Sequence, residues 1–475
     1  TVQRLLEGRA SVDCTNLHGS TPLLSACVRG HPEVVQRLLE AQASADYVNS
    51  DGATALTAAS QKGHEEVVRR LLEARATVDH PTAKRALPIA CQNGDIGVVD
   101  ALLDARANPN QTSSLGGPSL RVACSRGHMK VAQRLLECRA DVDQSRGGAT
   151  ALHMAAQEGY TELVQLLVDS RANVDLQLEE NGATAIRLAS AHGHAETVQR
   201  LLEGRASVDR ANFQGSTPLL SASMGGHTEV VQRLLDGRAN VDHQNDKGAS
   251  PLHLACQKGH VEVVRRLLEA KANVDLQDHD GKTALSFAVF NAETKVMQLL
   301  LDAKANVDLQ HQRGMTALRI ASWEGHTEVV QRLLEAKANV NLQEDHDGKT
   351  ALMLAALRGQ MEVVQRLLEA KANVDLQDHD GTTELSHAAV HGHVGVVQRL
   401  LEAKANVDLQ DKDGLTALSD AAGQGHVEVV QRLLEAKANV NLQDRDGVTA
   451  LSGAAGKGHG EVVQRLLEAK ANVER

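Results

Sequence analysis

Apolar residues in this chain follow two alternating patterns. The first is short: Leu285, then Ala288 and Val289, the i, i+3, i+4 stripe of an amphipathic helix. The second comes in pairs, Val329-Val330 followed by Leu333-Leu334, and predicts a second helix buried over a broad face. Polar positions punctuate both. Thr283 is placed to cap the first helix through its hydroxyl. Glycines such as Gly325 and Gly392 close it in the left-handed conformation. After the second helix, Asn-Val-Asp and Asp-x-Asp-Gly segments predict a turn into the next unit.

The leucine that opens the first pattern sets the register: Leu23, Leu56, Leu87, Leu120, Leu152, Leu219, Leu252, Leu285, Leu318, Leu352, Leu385, Leu418 and Leu451, with Ile186 in the remaining unit. The step is 33 residues in nine of thirteen intervals and 31, 32 or 34 in the others. A fixed period of this length means stacked small units rather than a globular core. The predicted fold class is therefore α, a repeat solenoid. We expect one continuous domain over 1–475, with 1–15 a partial repeat and 16–475 fourteen repeats. Polar capping faces are missing at both ends, since 1–7 reads as a lone second helix and the last unit is as apolar as the internal ones. We therefore expect a piece of a longer array.

Composition narrows the function. Aromatics are 1% of residues, so Leu, Val and Ala must do the packing. The net charge of −11 is spread over interleaved acids and bases, unlike the basic face of a nucleic-acid binder. No apolar run approaches the ~18 residues of a membrane span, so no membrane insertion is expected. Cys27, Cys91, Cys124 and Cys256 share one repeat position. Stacked layers ~8–10 Å apart keep them beyond disulfide reach, which predicts reduced thiols and a cytosolic or nuclear compartment. Glu328–Arg332 and Glu262–Arg266 are i, i+4 pairs found in nine of fourteen units, a charge-laced solvated face. Arg205, Lys271 and Lys337 follow the second helix, where its dipole favours a cation.

Thr217-Pro218-Leu219, Ser250-Pro251-Leu252-His253-Leu254-Ala255 and Thr150-Ala151-Leu152-His153-Met154-Ala155, each followed by Gly-His or a variant, resemble the ankyrin repeat family. The period and the Val-Val-x-x-Leu-Leu segment agree with it over essentially the whole chain. The resemblance implies a β-hairpin and two antiparallel helices per unit. It also implies a non-catalytic role in binding other proteins through hairpin tips and the groove of first helices. The chain departs from the family pattern in places. Proline in the box is usually Ala, and its histidine survives only at His153 and His253. Lys or Arg replaces the glycine after the second helix, which costs ~1 kcal/mol where φ must be positive unless Asn273 or Asn339 turns left-handed instead. Residues 78–85 and 108–118 lack a regular Asp-Gly turn and carry Pro81, Pro109 and Pro118, so irregular hairpins are expected there.

Catalytic and metal signatures fail on spacing. Gly453-Ala-Ala-Gly456-Lys457 lacks the Ser/Thr and the length of a phosphate loop. Asp278-His279-Asp280-Gly281 lacks the remaining calcium ligands and reads as a turn. The Gly-His histidines stand one per layer, too far apart to share zinc at ~2.1 Å. No enzyme activity, cofactor, metal or small-molecule substrate is expected, and the chain reads as a monomer.

Departures from the repeat concentrate just before Gly-His, on positions that the resemblance places in the groove. Four consecutive units present Phe290, Trp323, Leu357 and Val390 there, rimmed by Asn291, Glu324, Arg358 and His391; Met224 is an earlier apolar member. Such a strip predicts a hot spot for a protein or peptide partner. The Phe290 unit also has Asn291-Ala292-Glu293 for Gly-His, and Asn291 is expected to adopt the left-handed conformation. The family resemblance marks Asn341 and Asn441, which stand where most units have Asp, as possible hydroxylation sites. A structural spacer and the regulatory module of a larger enzyme, channel or ubiquitin ligase are the alternative roles.

Overall fold

Why short helices persist in this chain follows from how they are closed and stacked. The computed structural model describes residues 12–17, 19–78, 86–113, 117–311, 314–343 and 346–471. Two compact units emerge, Thr1–Asn240 and Val241–Arg475. Each is a series of helix pairs, from Pro22–Arg29 with Pro32–Glu40 to Pro218–Gly225 with Thr228–Asp236 in the first. In the second they run from Pro251–Gln257 with Val261–Glu269 to Ala450–Gly456 with Gly460–Glu468. Helices of seven to nine residues are marginal alone in water. Here each loses its apolar stripe to the neighbouring pairs: Leu285, Ala288, Val289, Val329, Val330 and Leu333 are all buried. The broad face predicted for the second helix is narrower than expected, since Leu334 is only half-buried.

Thr283 caps its helix by accepting from the N–H of Ser286, and Ser or Thr does the same in most units. In two units a capping box adds a histidine. His153 and His253 accept the Thr150 and Ser250 backbone N–H at Nδ1 and donate from Nε2 to Leu176 and Lys282 carbonyls. Burial pushes both imidazoles below their usual pKa, despite those carbonyl bonds.

Left-handed residues recur at three places in the repeat: after the first helix, after the second, and at the glycine of the turn between repeats, such as Gly281 at φ 78°. Gly325 closes the first helix at φ 79° and Gly392 lies at φ 72°. At the end of the second helix the basic residue itself, not the asparagine, takes the positive φ. Fourteen homologous positions from Gln42 to Lys470, including Arg205, Lys271 and Lys337, lie between 62° and 67°. The cause is helix closure: Ala272 N–H reaches back to Leu267 and Lys271 N–H to Leu268, which fixes Lys271 at the left-handed position. Asn273 is used otherwise, its side chain accepting from Asp275 N–H. Asn291 is likewise not left-handed, at φ −90°; Ala292 takes φ 55° instead, in the register of the missing glycine.

The turns between units follow the Asx pattern. The Asp278 carboxylate accepts from the N–H groups of Asp280 and Lys282 at 3.0 and 2.8 Å, both at Oδ1, so that oxygen serves the turn. Within 108–118, of which 114–116 lie outside the described residues, part of the stretch is a regular ladder. Thr112–Ser113 pairs antiparallel with Gly117–Pro118, the one strand pair among the described residues. The expectations for 79–85, for 1–7 and for Glu474-Arg475 fall outside the described residues.

Three columns of side chains tie successive repeats within each unit. Gln277 donates to Gly281 and to Gln310 of the next repeat, and Gln377 to Gly381 and Gln410. Asp275 accepts from Asn306 N–H, 31 residues on, and Asn341 from Asn373 N–H. The Gly-His histidines donate from Nε2 to a carbonyl one repeat back, as in His393 to Leu357 and His426 to Val390. Glycine leaves room for the ring: a Cβ on Gly359 would lie 2.7 Å from the His393 ring, whereas Ala292 stands beneath His326, whose bond to the Phe290 carbonyl is 3.4 Å. On the outer face, the i, i+4 glutamate–arginine pair forms in five of its nine units (Glu66, Glu196, Glu229, Glu262 and Glu328). Arg366, Arg432 and Arg465 turn instead to the glutamate three residues on.

Candidate functional site

The strip read from the sequence lies in the second unit, except for Met224, which is 54% exposed in the first. The structure brings Phe290, Trp323 and Glu324 to one cleft of about 570 Å³. Helices Ala284–Phe290 and Ala317–Glu324 supply its walls. Phe290, 59% exposed, and the half-buried Trp323 face it from successive repeats. The walls also contain Phe287, Met315 and Ile320, with Lys258 and Lys282 among the polar lining residues. Phe287 is held edge-on to the buried His253, ring centroids 5.8 Å apart.

Leu357 and Val390 do not line this cleft. Both side chains are half-buried, and their carbonyls accept from His393 and His426. Arg358 joins the site by another route, its guanidinium carbon lying 4.7 Å from the Trp323 ring centroid. A cation over an indole is worth ~0.5–1 kcal/mol at an exposed site, and here it fixes one wall of the cleft. His391 stacks on His393 at 5.9 Å and donates to the His387 carbonyl. Asn341 and Asn441 are exposed, and the Asn341 side-chain oxygen is engaged by the next repeat.

Sequence reading missed Phe287, Met315, Ile320 and Lys258. A signal existed for two of them. The position two residues after the register leucine varies freely, and there Phe287 and Ile320 stand where other units carry Ser25, Met154 or Gly453.

Beside the cleft runs a chain of charges across three repeats. Buried Arg319 donates to the Gly314 carbonyl at 2.7 Å and lies 3.5 Å from Asp347. Lys349 bridges Asp347 and Asp378 at 3.2 and 3.6 Å, and His387 reaches Asp378 at 3.1 Å. Burial alone would raise the Asp378 pKa. The hydrogen bonds from His387 and Thr382 N–H and the nearby positive charges hold it below the usual carboxylate value instead. These charges neutralise one another and hold successive turns together. Two other acids lack such partners. Glu384 is fully buried with neither carboxylate oxygen hydrogen-bonded, and burial, with repulsion from Asp375, pushes its pKa well up. Burial and Asp411 push Asp420 up to about 7, against the pull of Lys457.

Among the described residues, no group of three or more His, Cys, Asp or Glu is placed to hold a metal ion. No described helix is long and apolar enough to cross a membrane. The six cysteines are free thiols, and burial raises Cys27 and Cys124 to about 12.

The geometry, a capped short helix, a glycine–histidine step in most repeats and a longer apolar helix, is matched by comparison with known families. The family model described as Ankyrin repeats (3 copies) matches residues 1–82, 87–179, 172–245, 223–311, 252–344, 290–378, 318–411 and 385–475. The chain belongs to the ankyrin repeat family. A search of curated proteins returned no match. Ankyrin repeats are in general protein–protein interaction modules and typically non-catalytic. Within this ankyrin array, the cleft at Phe290 and Trp323 brings aromatic side chains of successive repeats together at the surface.

Proposed function

We propose that this ankyrin protein is a non-catalytic scaffold that binds a protein or peptide partner along the groove of its first helices, with the cleft between Phe290 and Trp323 as the energetic centre. The observation that carries the reading is the pairing of two large aromatic side chains from successive repeats across a formed cleft, in a chain holding only three Phe and one Trp. Exposed aromatics of this kind dominate interface energetics. Glu324, Arg358 and His391 form a polar rim, and Leu357 and Val390 extend the contact; Met224 is proposed as a separate apolar contact on the first unit. The protein acts as a monomeric, continuous array, and its free thiols fit a reducing cytosolic or nuclear setting.

The test begins with peptides selected on the full chain from a random phage-displayed library. The double variant Phe290→Ala/Trp323→Ala should weaken the selected peptides by at least ~2 kcal/mol in calorimetry, with helicity unchanged by circular dichroism. Unchanged affinity removes the reading. Hydroxylation of the exposed Asn341 and Asn441 is a second proposal. Peptide mass spectrometry after expression with an asparaginyl hydroxylase should show one added oxygen on each, and unmodified peptides would exclude it.

A further inference from the structure

The chemistry around the cleft narrows what its occupant carries. Three of the lining residues already tie the cleft to neighbouring repeats through their backbone carbonyls: Gln257 accepts from Asn291 Nδ2 at 2.9 Å, Lys282 from His253 Nε2 at 3.0 Å, and Phe290 from His326 Nε2 at 3.4 Å. The charged groups lining the cleft are two ammoniums, Lys258 and Lys282, and one carboxylate, Glu324. Lys282 is 3.1 Å from Asp280, whereas Lys258 is exposed and has no carboxylate within ion-pair distance among the described residues. Arg358 adds a further cation behind Trp323. The local charge is thus positive in a chain of net charge −11.

The shape argues for a chain segment over a free small molecule. With Phe290 59% exposed, one wall stands open, and a small ligand would not reach the ~70–90% burial of an ordinary ligand pocket. A segment crossing the cleft covers Phe290 as well. We infer that the cleft takes an extended segment of a partner protein that sets a large apolar side chain between Phe290 and Trp323 and an adjoining Asp or Glu against Lys258. This rests on the groove-binding reading above and specifies its ligand chemistry.

Trp323 is the chain's single tryptophan, so its fluorescence reports occupancy directly. The probes are Gly/Ser peptides carrying one central Leu flanked by Asp, the same peptide flanked by Lys, an Asp-flanked peptide with Ala for Leu, and dodecanoate. The Asp-flanked Leu peptide should shift Trp323 emission saturably, at least about tenfold tighter than the other two peptides. Lys258→Glu, an exposed change, should reverse the preference between Asp and Lys flanks.

A Leu peptide that shifts Trp323 equally with either flank, or keeps its Asp preference in Lys258→Glu, overturns the acidic-ligand inference and leaves groove binding standing. A response to dodecanoate at lower concentration than to any peptide assigns the cleft to free acids and overturns it too. Selected peptides whose affinity ignores Trp323→Ala overturn groove binding itself. A Trp323 that no probe perturbs, in a chain whose selected peptides do need Trp323, overturns the inference alone.

Discussion

Asn291 donates from its side-chain amide to the carbonyl of Gln257 at 2.9 Å, the bond that a Gly-His histidine makes elsewhere in the array. The unit with Asn93-Gly94-Asp95 uses the same device, Asn93 donating to Gln61 at 3.0 Å. In both, an acid has replaced the histidine and an asparagine two residues earlier bonds the carbonyl one repeat back. Asn291→Ala should therefore lose about 1 kcal/mol. Adding Glu293→His should restore it, because a histidine at 293 is in register to reach Gln257. Urea unfolding of both variants checks this; a double variant no more stable than the single one rules the substitution out.

The buried, unpartnered Glu384 stands at a position that is Ala284, Ala317 and Ala351 in the three preceding repeats. Replacing it with Ala should stabilise the protein by about 1–3 kcal/mol at neutral pH, the usual cost of an unsatisfied buried polar group.

The same residue fixes a sign for pH. A carboxyl raised in the folded state binds its proton more tightly there than in the unfolded chain. Stability from Glu384 is full below about pH 4.5 and falls as pH rises toward its elevated folded value. Asp420 adds a fall between about 4 and about 7. Denaturation midpoints measured across this range should decline less steeply in Glu384→Ala/Asp420→Asn than in the wild type. Parallel curves would contradict both raised values.

The column of left-handed basic residues makes opposite predictions for two substitutions at one site. Lys337, at φ 65°, should become more stable by up to ~1 kcal/mol as Gly. It should lose more than that as Val, whose branched side chain is an outlier at positive φ. Denaturation of the two variants side by side is decisive, and equal midpoints would mean that the closure relaxes around position 337.

Thiol reactivity separates the cysteines. Cys14 is exposed and Cys138 half-buried, while Cys27, Cys91, Cys124 and Cys256 are buried with raised pKa values. Titration of the native protein with an aromatic disulfide reagent near pH 8 should modify Cys14 and Cys138 only, because the thiolate is the nucleophile. Denaturant should release the other four. Fast labelling of Cys124 in native protein would contradict its placement.

Much of this was legible in the sequence because it is local. Thr283 caps, Gly325 closes, and Leu285 with Ala288 and Val289 is buried, since each depends on neighbours within one turn. The partners of Asn291, His393 and Gln277 lie about thirty residues away and required the repeats to be stacked. The same holds for the cleft: Phe290 and Trp323 stood out as rare residues, whereas Phe287, Met315 and Ile320 line it only because one repeat sits on the next. The choice of Lys271 over Asn273 for the left-handed position turns on which amide closes the helix, a detail that residue preference alone reverses.

The columns that join repeats have one further consequence. Gln277, His393 and Asn291 each reach across to a backbone carbonyl, a group that every repeat presents whatever its side chains. Apart from the small residue beneath each histidine ring, an interface built this way does not ask its neighbour for a particular side chain. A repeat inserted, lost or copied within such a stack meets the same acceptors it left, which is how residues 267–281 and 367–381 can be identical in sequence and serve different neighbours.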